Sequence, residues 1–241
     1  MNTAFTDIYE ERVWGDNNDI KYAGSSGIGS SLEYNQSRWI PFLKNFILKN
    51  GVKSVVDLGC GDFQCGPVIY NSLPIEKYTG YDAYGKVVTA NSERNLSSKF
   101  SFFHCDISNE VENIEPADLC ILKDVLQHWP DEEIVLFMDQ LVACKKYKLI
   151  LLCNCSTGEI LENKLVGGFV GGFHPLKAET YPLNKYNPKV VFGWHTKEVC
   201  LINMDMKAAD SALVFFLFFK IKLVSFTTLT CISFHVCFSF P

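Results

Sequence analysis

Val55-Val56-Asp57-Leu58-Gly59-Cys60-Gly61-Asp62 reads as a short buried strand running into a glycine turn, and the rest of the chain organises around it. The strand delivers Asp57 to its carboxyl end, where ligands bind in open α/β sheets. Gly59 and Gly61 allow a sharp turn with no Cβ between backbone and ligand. Downstream the pattern alternates: a strand at Lys77–Asp82, a helix at Val87–Leu96, a strand at Phe100–His104, another at Asp118–Leu122, a helix at Asp131–Ala143 and a strand at Leu149–Leu152. Upstream, Trp39, Ile40, Leu43, Phe46 and Ile47 recur at helical spacing until Asn50-Gly51 stops the helix. Continuous apolar strands alternating with amphipathic helices predict an α/β fold, a doubly wound and mostly parallel sheet covered on both faces. Lys189–Trp194 and Lys197–Ile202, flanking a turn at His195-Thr196, predict an antiparallel hairpin that closes the sheet.

Three regions lie outside that rhythm. Residues 1–31 form a polar, glycine-rich arm with one expected short helix around Tyr9–Val13. The arm reads either as a lid hinged on its glycines or as a disordered terminus, and Tyr9 and Trp14 argue against complete disorder. Within the main domain, residues 32–204, the segment 155–188 carries Gly167-Gly168, Gly171-Gly172 and three prolines, and reads as a long substrate-side loop. Residues 205–241 crowd eight phenylalanines into a stretch with no acidic residue after Asp210. Lys220, Lys222 and several serines and threonines interrupt it, so it makes no clean membrane span of about 20 apolar residues. It is read as surplus to the domain, disordered or non-native, with a membrane anchor as the competing reading.

The glycine turn narrows the ligand. A dinucleotide site would place a third Gly or Ala where Gln64 stands. Asp62 adds an anion beside the loop, which suits a cation better than a pyrophosphate. S-adenosylmethionine carries a sulfonium and an ammonium and no phosphate. Asp82 ends the second strand, placed to accept from ribose hydroxyls. Asp106 ends the third, placed to accept from an adenine amino group while Ile107 packs on the ring. Three carboxylates at the ends of consecutive strands are hard to attribute to chance.

Asp57-Leu58-Gly59-Cys60-Gly61, Gly80-Tyr81-Asp82, Cys105-Asp106 and the run Asp118–His128 resemble the successive motifs of class I S-adenosylmethionine-dependent methyltransferases over about residues 39–202. The resemblance implies a Rossmann-like, seven-stranded sheet whose last two strands form a hairpin. It implies cofactor roles for Asp57, Gly59, Cys60, Gly61, Asp82 and Asp106, and also for Ile107 and Lys123. The expected activity is methyl transfer to an unidentified acceptor, with a small molecule as the expected partner. The alternative is a protein that keeps the cofactor site without turnover.

Methyl transfer from a sulfonium is an in-line displacement, so positioning supplies most of the catalysis and a base is needed only when the acceptor must lose a proton. Asp124 and His128 follow the fourth strand and edge the expected methyl site. Asp124 reads equally as a cap of the following turn, and His128 as a residue packed beside Trp129. His174, in a turn-rich segment, is a third candidate, while His104 reads as structural. Cys153-x-Cys155 with His174 and His195 matches no usual zinc spacing, so no metal is expected. A net charge of −5 gives no general attraction to nucleic acid. Ten scattered cysteines and a polar, acidic start predict reduced thiols and a cytoplasmic protein.

Overall fold

A computed structural model describes residues 2–15, 22–163 and 168–205. The expected tail, its anchor reading included, lies outside the described residues from 206 onward.

In chain order the elements are α1 (Asn2–Glu10), α2 (Leu32–Asn35), α3 (Trp39–Lys49), β1 (Ser54–Leu58), α4 (Gly66–Tyr70), β2 (Lys77–Asp82), α5 (Gly85–Arg94), β3 (Phe100–His104), β4 (Ala117–Lys123), α6 (Asp131–Ala143), β5 (Tyr147–Cys155), β6 (Leu161–Asn163), β7 (Gly168–Phe173), β8 (Lys189–Trp194) and β9 (Lys197–Asn203). Seven strands form one sheet in the order β3-β2-β1-β4-β5-β9-β8. The pairs β1–β2, β1–β4, β2–β3 and β4–β5 are parallel, whereas β9 runs antiparallel to both β5 and β8. This is the sheet, with its closing hairpin, that the alternation and the resemblance predict. The strand order reverses between β1 and β4, and that switch point opens a crevice at the carboxyl ends of the strands.

Strand alternation divides the core in two. Val55, Tyr78, Phe102, Leu119, Ile121 and Leu151 face α3, α4 and α5. Val56, Leu58, Tyr81, Cys120, Leu122 and Leu152 face Ile134, Phe137, Met138 and Leu141 of α6. Each fully buried aliphatic contributes about 1.5–3 kcal/mol. The helices end where the sequence says they should. Asn50 donates its side-chain amide to the Phe46 carbonyl and Gly51 adopts φ +61°, stopping α3. Asp131, Glu132 and Glu133 occupy the first turn of α6, where the helix dipole favours carboxylates.

Two expectations change. Segment 155–188 is not a continuous loop: β6 and β7 pair antiparallel as a separate two-stranded sheet. Gly168, Gly171 and Gly172 lie within β7, where Gly171 takes φ +78°; glycine in a strand marks close backbone approach as readily as it marks a turn. The arm's helix lies earlier than expected, at Asn2–Glu10, because Ala4 and Ile8 bury one helical stripe and Phe5 and Tyr9 line the cleft beside it.

Candidate functional site

The glycine turn is held from three sides. The backbone amides of Gly59 and Cys60 both donate to the Tyr81 carbonyl of β2, at 2.8 and 3.0 Å. The Gly61 amide donates to Asp82 Oδ2 at 2.9 Å, and Asp82 Oδ1 accepts from the Tyr84 amide at 3.0 Å. Each Asp82 oxygen keeps a second lone pair toward the cleft. The backbone is at φ +81° at Gly59 and +55° at Gly61. A Cβ would stand 2.4 Å from Val125 Cγ2 at the first and 2.6 Å from Ser26 Oγ at the second, so neither place admits a side chain.

Burial raises the Asp82 pKa above its ordinary value and raises Asp57 to about 6, the latter opposed by the hydrogen bond that Tyr78 donates to Asp57 Oδ2 at 2.8 Å. A buried and a half-buried carboxylate with weakened ionisation beside a glycine cradle are what a cationic ligand would relieve. Asp106 and Ile107 also line the cleft. The Asp106 carboxylate accepts from Ser108 Oγ at 2.6 Å and the Ser108 amide at 3.2 Å, stabilising its own turn.

The arm folds over this turn. Tyr9 stacks on Tyr84 with ring centroids 4.5 Å apart and hydrogen-bonds Ser26 Oγ at 2.7 Å. The Asp62 amide donates to Ser26 Oγ at 3.0 Å, and the Asp62 carboxylate accepts from Ser30 Oγ and Gln64 Nε2 at 3.3 and 2.8 Å. Asp62 and Gln64, which the sequence offered as selectors of a cationic ligand, thus also tie the arm to the loop. Residues of the arm thus lie against the glycine turn and line the cleft beside it. Sheet and arm together enclose a cavity of about 520 Å³, within the range of small-molecule sites.

The far wall is built from Lys123 and Asp124 at the end of β4, Cys155 at the end of β5 and Lys197 at the start of β9. Asp124, at φ +60°, ion-pairs through Oδ2 with Lys123 at 2.7 Å and through Oδ1 with Lys197. It does not cap the following turn, because two ammonium groups hold its carboxylate. Lys123 also donates to the Gly29 carbonyl of the arm at 2.7 Å, and Lys197 to Cys155 Sγ at 2.9 Å. The neighbouring charges outweigh burial, so both lysine pKa values rise and that of Asp124 falls.

His128 lines the cavity, 5.1 Å from the Trp14 ring. Its Nδ1 faces the Gly172 carbonyl and its Nε2 lies 3.3 Å from the Gln127 amide nitrogen. Gln127 Oε1 accepts from the Cys155 amide at 2.7 Å, which turns its NH₂ toward the imidazole. Burial lowers the His128 pKa, so the ring stays neutral. His174 is not at the cleft. It sits behind the turn, with Nε2 2.9 Å from the Trp129 carbonyl and Nδ1 3.8 Å from Asp131. Within the segment read as a substrate-side loop, strand β7 ends at Phe173, which lines the cavity, and His174 beyond it does not.

Sequence reasoning missed Lys197, Gln127 and Ser26. For Lys197 a signal existed: strand alternation puts it on the same side as Val199 and Leu201, facing a core. For Ser26 none did, since its partner Asp62 is 36 residues away.

The fold and this cleft define a class I S-adenosylmethionine-dependent methyltransferase. Residues 32–166 match the O-methyltransferase domain family, and the chain belongs to it. Among solved structures it resembles human N-acetylserotonin methyltransferase in complex with SAM (18% identity, 83% of this chain and 58% of that one, TM-score 0.57). It also resembles the methyltransferase domain of bacterial CtHen1 (16% identity, 72% and 100%, TM-score 0.56). A third is magnesium protoporphyrin IX methyltransferase from Synechocystis PCC 6803 with bound SAM (15% identity, 83% and 95%, TM-score 0.54). At these identities the likeness is one of fold. No curated protein sequence matches the chain.

Proposed function

We propose that the protein transfers a methyl group to an oxygen of a small molecule that enters the cleft beneath the arm. The observation that carries this reading is the glycine turn pinned to Asp82, with a second, half-buried carboxylate, Asp57, beside it. That arrangement fits the cationic methyl donor and lacks the pyrophosphate cradle of a dinucleotide site. S-adenosylmethionine, when bound, supplies an electrophilic methyl group on a sulfonium.

The chain's own residues supply position. Gly59, Cys60 and Gly61 would let the cofactor approach the backbone, Asp82 would accept from its ribose hydroxyls, Asp57 and Lys123 would hold its amino-acid end, and Asp106 and Ile107 would border its adenine. Tyr9, Trp14 and Ser26 of the arm exclude water, which strengthens every electrostatic contact beneath them. His128, neutral and beside Trp14, orients the acceptor. Its Nε2 accepts from Gln127, so it serves as a proton acceptor only if that contact is released.

We also place the protein in a reducing, cytoplasmic setting. All eight cysteines among the described residues are free, and no helix among those residues is long and apolar enough to cross a membrane.

Calorimetric titration of the full chain with S-adenosylmethionine, and of D82A beside it, tests the reading. Saturable binding by the parent and loss of binding in a folded D82A are expected. A parent that binds NADH and not S-adenosylmethionine overturns it.

A further inference from the structure

Helix α5 turns Val87, Val88 and Asn91 inward, and the last of these is polar and fully buried. Asparagine is a weak helix former, and an unpaired amide in a core is costly, so its place on that stripe requires a partner. The partner is the glycine turn: Asn91 Nδ2 donates to the Gly61 carbonyl at 2.7 Å. We propose that Asn91, braced by Arg94, is a positioning residue that fixes the Gly61–Asp62 peptide plane, and through that one plane couples the methyl-donor site to the arm. The identity of the donor rests on the methyl-transfer reading; the coupling of turn to arm does not.

Gly61 has φ +55° and no Cβ. Glycine populates both signs of φ at little cost, so the orientation of the peptide that follows it is left to that peptide's partners. Asn91 holds the carbonyl from the helix side, and the Asp62 amide donates to Ser26 Oγ of the arm at 3.0 Å. The two bonds are made by one rigid plane, so turning the carbonyl away from Asn91 turns the amide away from Ser26. The preceding amide, that of Gly61, is the one bound to Asp82. The Asp82 carboxylate, the turn and the arm thus meet within two consecutive peptides. Asn91 itself does not line the cleft.

Arg94 sets which way the Asn91 amide faces. Its Nη2 donates to Asn91 Oδ1 and to the Asp62 carbonyl, the latter at 2.9 Å. A guanidinium only donates, so Oδ1 must face it and Nδ2 must face the Gly61 carbonyl. Arg94 Nε donates to the Ala90 carbonyl at 3.1 Å, which ties the guanidinium to its own helix. The Tyr22 ring of the arm lies 4.3 Å from Arg94 Cζ, within cation–π reach. One helix therefore grips the arm twice, at Tyr22 directly and at Ser26 through the peptide plane.

The test compares the full chain with N91D, which keeps the side chain's shape and replaces the donor by an acceptor. Without ligand, limited proteolysis within residues 1–31 should run about tenfold faster in N91D, the worth of a buried carbonyl left unpaired. S-adenosylhomocysteine should bind N91D about tenfold or more weakly by calorimetry, and S92A, the exposed neighbour on α5, should match wild type in both assays. S26A acts on the other end of the same plane. The double variant N91D/S26A should therefore be cleaved no more than about threefold faster than the faster single variant, where independent sites would multiply. In wild type, hydrogen exchange across residues 22–31 should slow on saturation with S-adenosylhomocysteine. R94M, at a half-buried position, should loosen the arm and weaken S-adenosylhomocysteine in the same sense, and decides the matter should N91D not fold. Arm exchange that ignores saturating S-adenosylhomocysteine overturns the proposal without any variant. So does a folded N91D or R94M cleaved as wild type is, or a double variant whose effects multiply. A wild-type protein that takes up no S-adenosylhomocysteine refutes instead the methyl-transfer reading, and the ligand-free cleavage comparison still decides whether turn and arm are coupled.

Discussion

Replacing Asp124 by Asn keeps the shape of the far wall and removes the one carboxylate between two ammonium groups. Lys197 is 7% exposed overall, and the Lys123 side chain is 15% exposed, so the uncompensated charges remain in a desolvated place. Removing one partner of a buried ion pair costs about 3–5 kcal/mol. For a domain of this size about 2–4 °C of melting temperature goes with each kcal/mol, so D124N should melt about 6–20 °C below wild type at neutral pH. The double variant D124N/K197M leaves one lysine with no competing cation and should recover at least half of the loss, a coupling that two independent sites would not show. The pH dependence has a definite sign. With the carboxylate gone, the folded-state pKa of at least one lysine drops below its unfolded value. Its favourable contribution is then present only at high pH and is lost as pH falls through the folded pKa. D124N should therefore regain stability relative to wild type between pH 7 and about 10, near the lysine reference value. Thermal unfolding followed by circular dichroism at two pH values reads all of this. A D124N protein melting within about 1 °C of wild type would show that the cluster is not energetically closed, and would refute the reasoning.

Other expectations follow from the cofactor end and the arm. Asp57, raised to about 6 by burial, holds its proton more tightly folded than unfolded, so its contribution to the stability of the ligand-free protein is full below about pH 4 and is lost as pH rises through 6. D57N should remove that loss, and S-adenosylmethionine affinity, which should climb from pH 5 to 7 in wild type, should climb less steeply in the variant by calorimetry. G61A places a Cβ against Ser26 Oγ at a positive φ and should weaken cofactor binding by about tenfold or more while lowering the melting temperature by a few degrees. S26A removes the acceptor of the Asp62 amide and the partner of Tyr9 and should cost about 1–2 kcal/mol of arm closure. Faster proteolysis within residues 1–31 and a changed Trp14 emission would report it. Unchanged cleavage would mean that the arm closes on other contacts.

The sequence by itself determined the mostly parallel sheet, its closing hairpin and the glycine turn after β1, because each depends on local chemistry. Val55 and Val56 make a strand wherever they are covered, and a glycine at a left-handed turn is required by backbone sterics alone. A carboxylate at a strand's end stands at the carboxyl edge of the sheet by construction. Even the burial of Lys197 was legible in the alternation of β9. Only the tertiary structure decided which charges meet. Asp124 and Lys197 lie 73 residues apart, and their pairing depends on β9 running antiparallel beside β5, with Lys197 opposite Cys155. In the same way, strand β7 carries His174 away from the cleft, and the arm's return across the glycine turn converts Asp62 from a free anion into a latch. Long-range pairing is fixed by loop closure and packing over the whole chain, which no local window of sequence records.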